Sequence, residues 1–184
     1  MRLKRLHPPR RLVGVVLAFA AVLLSAAPAE PPAALTPYQI KVGLLYNFAI
    51  YTEWPKAAFA DGSAPFVFGV LGADPFGADL DFLKRKPIKG RSVVVKPLQK
   101  AEEALGCHIL FISASEKEQL PHILKTLEKS SVLTVSEVDK FIELNGMVNF
   151  VARETIGFEI NEPAVEKAGL RINSYVLKMK RNKK

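Results

Sequence analysis

The stretch Pro65-Phe-Val-Phe-Gly-Val-Leu-Gly72 is apolar at almost every position, and Asp74-Pro75 follows at once. A short apolar run without polar alternation predicts a strand covered on both faces, as in a parallel sheet. An aspartate cap with proline at the first helical position predicts a helix, here reaching about Lys86. Strand then helix is the repeating unit of an α/β domain, and the pattern recurs downstream. Arg91 to Leu98 (RSVVVKPL) and Cys107 to Ser113 (CHILFIS) read as a second and a third strand. Ser115 and Glu118 have capping-box spacing, but Pro121 would clash inside a continuous helix, so a turn precedes a helix from about Leu120 to Glu128. Val132 to Val135 is a fourth strand. Ser136 is expected to cap a short helix, Glu137 to Leu144, ended by Asn145-Gly146. Met147 to Val151 and Ile156 to Ile160 form a hairpin around Ala152 to Thr155. Asn161-Glu162-Pro163 opens another helix, stopped at Gly169. Leu170 to Met179 is ambiguous, with a helix favoured from about Asn173.

Upstream, Thr36-Pro37 is a cap-plus-proline helix start. Tyr38, Val42, Leu45 and Ala49 form an apolar stripe that Leu44, Phe48 and Tyr51 widen, so this helix should be mostly covered. Pro55 pushes Trp54 out of the α region and ends it by Glu53. No internal repeat is visible. The expectation is one three-layer α/β domain: a mainly parallel sheet, helices on both faces and an antiparallel edge hairpin.

The chain has 184 residues, 49% apolar, with one Cys and 26 Lys and Arg against 18 Asp and Glu. That apolar fraction excludes wholesale disorder, and one cysteine excludes an internal disulfide framework. Five basic residues lie in the first eleven positions and five in the last seven, leaving 16 against all 18 acidic ones. Nucleic-acid binding needs a basic face on the folded body, so it is not expected. Met1 to Arg11 is a basic segment, Leu12 to Leu24 an unbroken apolar run, and small residues follow at Ser25, Ala26, Ala27 and Ala29. These are the three parts of a secretory signal, with cleavage after Ala29, and the apolar run is short for a bilayer span. The expected organisation is a signal at 1–29, a Pro/Ala-rich leader at 30–35, the domain at 36–178 and a basic tail at 179–184, with export across a membrane.

Several strings resemble the YfiR-like periplasmic proteins. They are Lys41-Val-Gly-Leu-Leu-Tyr-Asn-Phe-Ala49 with Glu53-Trp54-Pro55, Gly69-Val-Leu-Gly72 with Asp74-Pro75-Phe76-Gly77, and Gly90-Arg91. Cys107-His-Ile-Leu-Phe-Ile112, Leu133-Thr-Val-Ser136, Gly146-Met-Val-Asn149, Phe158-Glu-Ile-Asn161 and Ala168-Gly-Leu-Arg-Ile172 continue the order. The resemblance spans roughly Leu35 to Lys178. It implies a periplasmic location, and a regulator and not an enzyme. The best-known kind represses a membrane-bound diguanylate cyclase by binding its periplasmic sensor domain, lowering cyclic di-GMP and biofilm formation, and an outer-membrane lipoprotein relieves that repression. The best-known kind also carries intramolecular disulfides, for which Cys107 has no mate here.

The residues themselves offer few chemical sites. Gly69-x-x-Gly72 before Asp74 is either a tight turn or a cleft for a small ligand or partner loop, with Arg91 the candidate for an anion. Trp54 either caps the core or anchors an interface. Trp54, Asp74, Phe76 and Arg91 are therefore the candidate partner-binding residues. Cys107 and His108 point to opposite faces of a strand and cannot form a nucleophile–base pair, which leaves Cys107 as a free, buried thiol. His108 and His122 lack a carboxylate cluster, so no metal site is expected. No catalytic motif or acid pair is present, and no cofactor is implied. Glu159 and Arg171 are the expected structural ion pair, and Asn149 is expected to satisfy backbone groups. The basic tail either stays solvated or leans on anionic headgroups. The expected partner is an envelope signalling protein, with an outer-membrane lipoprotein and a second copy of the chain as further candidates. The alternative is a small-molecule-binding module reporting to a transporter or sensor kinase.

Overall fold

The structure, a computed structural model, describes residues 34–152 and 155–179. The expected signal segment and most of the leader and tail lie outside the described residues. Helix α1 spans Pro37–Tyr51. Its start is a full capping box: Gln39 N–H donates to Thr36 Oγ1 (3.2 Å), and Thr36 N–H donates to Gln39 Oε1 (3.1 Å). The chain leaves it as β1 (Thr52–Glu53) and enters β2 (Phe66–Leu71), buried at every position. Then come α2 (Asp81–Lys84), β3 (Val93–Leu98), β4 (Ile109–Ile112), α3 (Leu120–Leu127) and β5 (Leu133–Ser136). The hairpin β6 (Val148–Ala152) and β7 (Ile156–Ile160) precedes α4 (Glu162–Lys167), β8 (Arg171–Ile172) and α5 (Ser174–Met179).

The main sheet has the order β3-β2-β4-β5-β6-β7, parallel throughout except for the antiparallel β6–β7 pair. Period-two alternation sends Phe66, Phe68 and Val70 into one core layer with α1, and Val67 and Leu71 into the other with α3. Both faces are thus covered, which is why β2, β4 and β5 read as continuous apolar runs. The α/β architecture is the one expected. Edge strand β3 is less buried and carries Pro97, a residue tolerated mainly at sheet edges.

Three local expectations are corrected, and the ambiguous C-terminal segment is resolved. Asp74 does not open a long helix: its Oδ1 accepts from Phe76 N–H (2.8 Å) and Gly77 N–H (3.3 Å), and Gly77 at φ +53° breaks the helical path. Only a 3₁₀ turn and the single turn of α2 follow. Residues 137–144 form turns and no helix, because Lys140 and Asn145 adopt left-handed backbone (φ +64° and +69°) while Phe141 folds over Gly146. The helix favoured from about Asn173 is present as α5, and the residues before it form a short strand. There β8 pairs antiparallel with β1 (Thr52↔Ile172, Glu53↔Arg171), and α5 begins after Asn173. The hairpin ladder runs one residue further than expected, to Ala152↔Ile156.

The Glu159–Arg171 pair is also corrected. Glu159 sits opposite Asn149 on β7, whereas β8 carries Arg171 to the separate two-stranded ribbon. There Arg171 Nη1 lies 3.9 Å from Glu53 Oε2, between largely exposed side chains. Such a pair contributes little.

Candidate functional site

In this strand order the neighbours of β2 lie on opposite sides, β3 and β4, so the carboxyl ends of β2 and β4 mark a topological switch point. Gly72 stands there at φ +85°, which glycine adopts without steric cost. The crevice is filled by the chain itself. A Cβ on Gly72 would sit 2.3 Å from Ser115 Oγ and 2.6 Å from Glu116 Oε1. Ala73 N–H donates to Ser115 Oγ (3.0 Å), which in turn donates to Glu116 Oε1 (3.0 Å). A carboxylate at this position repels an anion, so the loop is built as a closed turn. Beside it, Phe76 is only 4% exposed and packs edge-on against Tyr38 and Phe111. Lys41, buried in α1, is ion-paired with Glu137, and Tyr38 Oη donates to Glu137 Oε1 (3.3 Å). Desolvation, reinforced by Glu137, raises the Tyr38 phenol above its ordinary pKa.

At the opposite, amino-terminal end of the strands, His108 is the centre of an aromatic cluster. Its ring stacks on Phe59 (4.2 Å) and Phe66 (4.7 Å), with Trp54 edge-on at 6.2 Å. Val67 N–H donates to Nδ1 (3.0 Å), which assigns the proton of the neutral ring to Nε2. Nε2 is buried, and the Ala58 backbone is the polar group it faces. Desolvation is the main reason the ring's pKa falls to about 4. Trp54 is half-buried, and its Nε1 donates to the His108 carbonyl (3.3 Å). Arg91 donates from Nη1 to the carbonyls of Asp61 (3.0 Å) and Ala64 (2.6 Å) and lies 4.0 Å above the Phe59 ring. Lys89 donates to the Thr52 carbonyl and lies over Trp54.

The four candidate contact residues are therefore not brought together. Asp74 and Phe76 serve a turn and the core at one end of the sheet. Trp54 and Arg91 clamp the 52–64 segment at the other. Cys107 is buried, and desolvation pushes its thiol up to about 11, so the nucleophilic thiolate is scarce at neutral pH. His122 lies on the surface of α3, 3.9 Å from Glu102. Among the described residues no three His, Cys, Asp or Glu side chains gather to hold a metal, and no helix is long and apolar enough to cross a membrane.

A groove of about 470 Å³ between α3, α4 and the 143–147 turn was not anticipated. Leu124, Leu144, Thr134 and Asn161 line it, and Leu144 is 39% exposed. Glu128 spans its rim, accepting from Lys125 (2.8 Å) and Lys167 (2.7 Å), and these hydrogen bonds lower its carboxyl pKa to about 2. In sequence these residues are scattered from 121 to 167, and no local signal joins them.

A family model described as YfiR/HmsC-like matches residues 38–181, from the first turn of α1 past the end of α5. The chain belongs to the YfiR/HmsC-like family. That family is one of periplasmic regulators of diguanylate cyclases. A solved structure, a conserved domain protein from Vibrio cholerae O1 biovar El Tor N16961, is similar with a TM-score of 0.53 and 12% identity. That likeness covers 80% of this chain and 60% of the other, and it speaks for the fold alone. No curated protein matches the chain. Within this YfiR/HmsC-like chain the family strings fall on the core of α1, the turn after β2, and β4 to β8. They are mostly the buried scaffold, with few free surface groups among them.

Proposed function

We propose that this chain represses an inner-membrane diguanylate cyclase by gripping the cyclase's periplasmic sensor domain. The family match over residues 38–181 carries the reading. The mechanism is population shift: a regulator that binds one sensor conformation more tightly holds the cyclase in its inactive state. Consistent with action by shape, the titratable groups set deepest in the fold are already engaged internally. Lys41 is paired with Glu137, and His108 is stacked between two phenylalanine rings. Trp54 and Arg91 remain half-buried on one surface, and this is the end of the sheet that we assign to partner contact.

Deleting the gene should raise cyclic di-GMP, and the tagged protein should retain a membrane cyclase from envelope extracts. Unchanged cyclic di-GMP in every growth condition would overturn the reading. The second reading, a small-molecule-binding module, rests on the groove of about 470 Å³ between α3 and α4, within the size range of ligand sites. A metabolite that raises the melting temperature of the purified protein would favour it.

A further inference from the structure

Between α2 and β3 the chain reads Lys84-Arg-Lys-Pro-Ile-Lys-Gly-Arg91, five basic residues and no acidic one in eight positions. The rest of residues 12–177 holds eleven basic residues against all eighteen acidic ones. The charge of the body is therefore separated, with its densest positive segment in this one turn.

The structure sorts those cations into two groups. Ile88 and Arg91 bridge a tight turn in which Lys89 and Gly90 both have positive φ (+50° and +78°). Lys89 and Arg91 point back to the Thr52, Asp61 and Ala64 carbonyls, so they hold the neighbouring segment in place. Lys84, Arg85 and Lys86 are exposed instead. Lys84 shares Asp81 at 2.8 Å, with both side chains half exposed. The Arg85 side chain makes no hydrogen bond among the described residues. Lys86 Nζ lies 4.8 Å from the centre of the Phe82 ring and 5.7 Å from that of Tyr46. Phe82 itself is 39% exposed.

We propose that Phe82, Lys84, Arg85 and Lys86 form a docking face for the anionic surface of a phospholipid bilayer. Three long, solvent-exposed cations suit a fluid field of phosphate groups better than a fixed set of protein carboxylates. A part-exposed phenylalanine beside a lysine is suited to the boundary between headgroups and acyl chains. The acidic remainder of the body is repelled by the same surface, so the molecule arrives with this face first.

The test is flotation of the whole chain with vesicles of phosphatidylcholine alone and of phosphatidylcholine mixed with phosphatidylglycerol. Association should need phosphatidylglycerol and weaken as salt rises. The triple variant Lys84→Gln, Arg85→Gln, Lys86→Gln should lower that association on the order of 100-fold. Arg85→Gln alone should lower it several-fold. An equally discharged variant elsewhere on the surface, Lys96→Gln, Lys117→Gln, Lys129→Gln, should keep most of it. Equal association with both kinds of vesicle overturns the proposal. So does a patch variant that floats like the unaltered protein, or a control that loses as much. Retention on a polyglutamate matrix without any vesicle association would overturn it too, by assigning the face to an acidic protein.

Discussion

His108 shows how one residue type takes its chemistry from its surroundings. Free imidazole titrates near neutrality, yet between Phe59 and Phe66 this ring is held neutral down to about pH 4. A base whose pKa is lowered by folding takes up protons more readily in the unfolded chain. Its contribution to stability is complete above the unfolded value of 6.5 and is lost as pH falls toward the folded value of about 4. From the size of that shift, the loss should be roughly 3 kcal/mol. Glu128, lowered to about 2 by its two lysines, begins to cost stability only below its ordinary pKa of 4.5. Urea unfolding between pH 7 and pH 4.5 therefore isolates the histidine. His108→Phe should flatten the dependence in that window. At pH 7 it should cost about 1–3 kcal/mol, because the buried Val67 N–H loses its acceptor. An unchanged slope would show that His108 is not the titrating group.

At the scale of elements, the sequence was informative where one element carries its own signal. The strands β2, β4 and β5 are legible as apolar runs because both of their faces are buried. Helix α1 is legible because Thr36, Pro37 and the apolar stripe agree. The 74–86 and 137–144 segments misled for a common reason. Good capping residues were present, but left-handed backbone at Gly77, Lys140 and Asn145 diverted the chain. The two-residue ribbon β1–β8 has no local signature, since its register depends on residues about 120 positions apart. The candidate site was legible only in its parts. Trp54 and Arg91 stood out as residue types, but nothing local joins them to Phe59 and His108. Gly69 offers a test at this scale. A Cβ there would sit 2.8 Å from Leu98 Cδ1 and 2.9 Å from both Cys107 Sγ and Leu110 Cδ1. Gly69→Ala should therefore overpack β2 and cost about 1–3 kcal/mol in urea unfolding. A neutral result would show that the layer beneath α3 can yield.

At the scale of the molecule, the first and last described elements are tied together. Asn173 N–H donates to the Tyr51 carbonyl (2.8 Å), Tyr51 and Tyr175 pack ring to ring at 4.9 Å, and Val176 on α5 is buried. Residues 171–178 form a strap over the exit of α1. A chain terminated after Leu170 exposes that surface and should lose at least about 2 kcal/mol of stability by urea unfolding. Full stability in the shortened chain would make the strap dispensable. The sheet itself has two unlike margins. On β3, Pro97 lacks the amide hydrogen that an incoming strand would need, whereas β7, at the far margin, contains no proline. Runaway strand stacking is thus blocked from one flank, and self-association by sheet extension, if concentration forces it, has one direction open and stops at pairs.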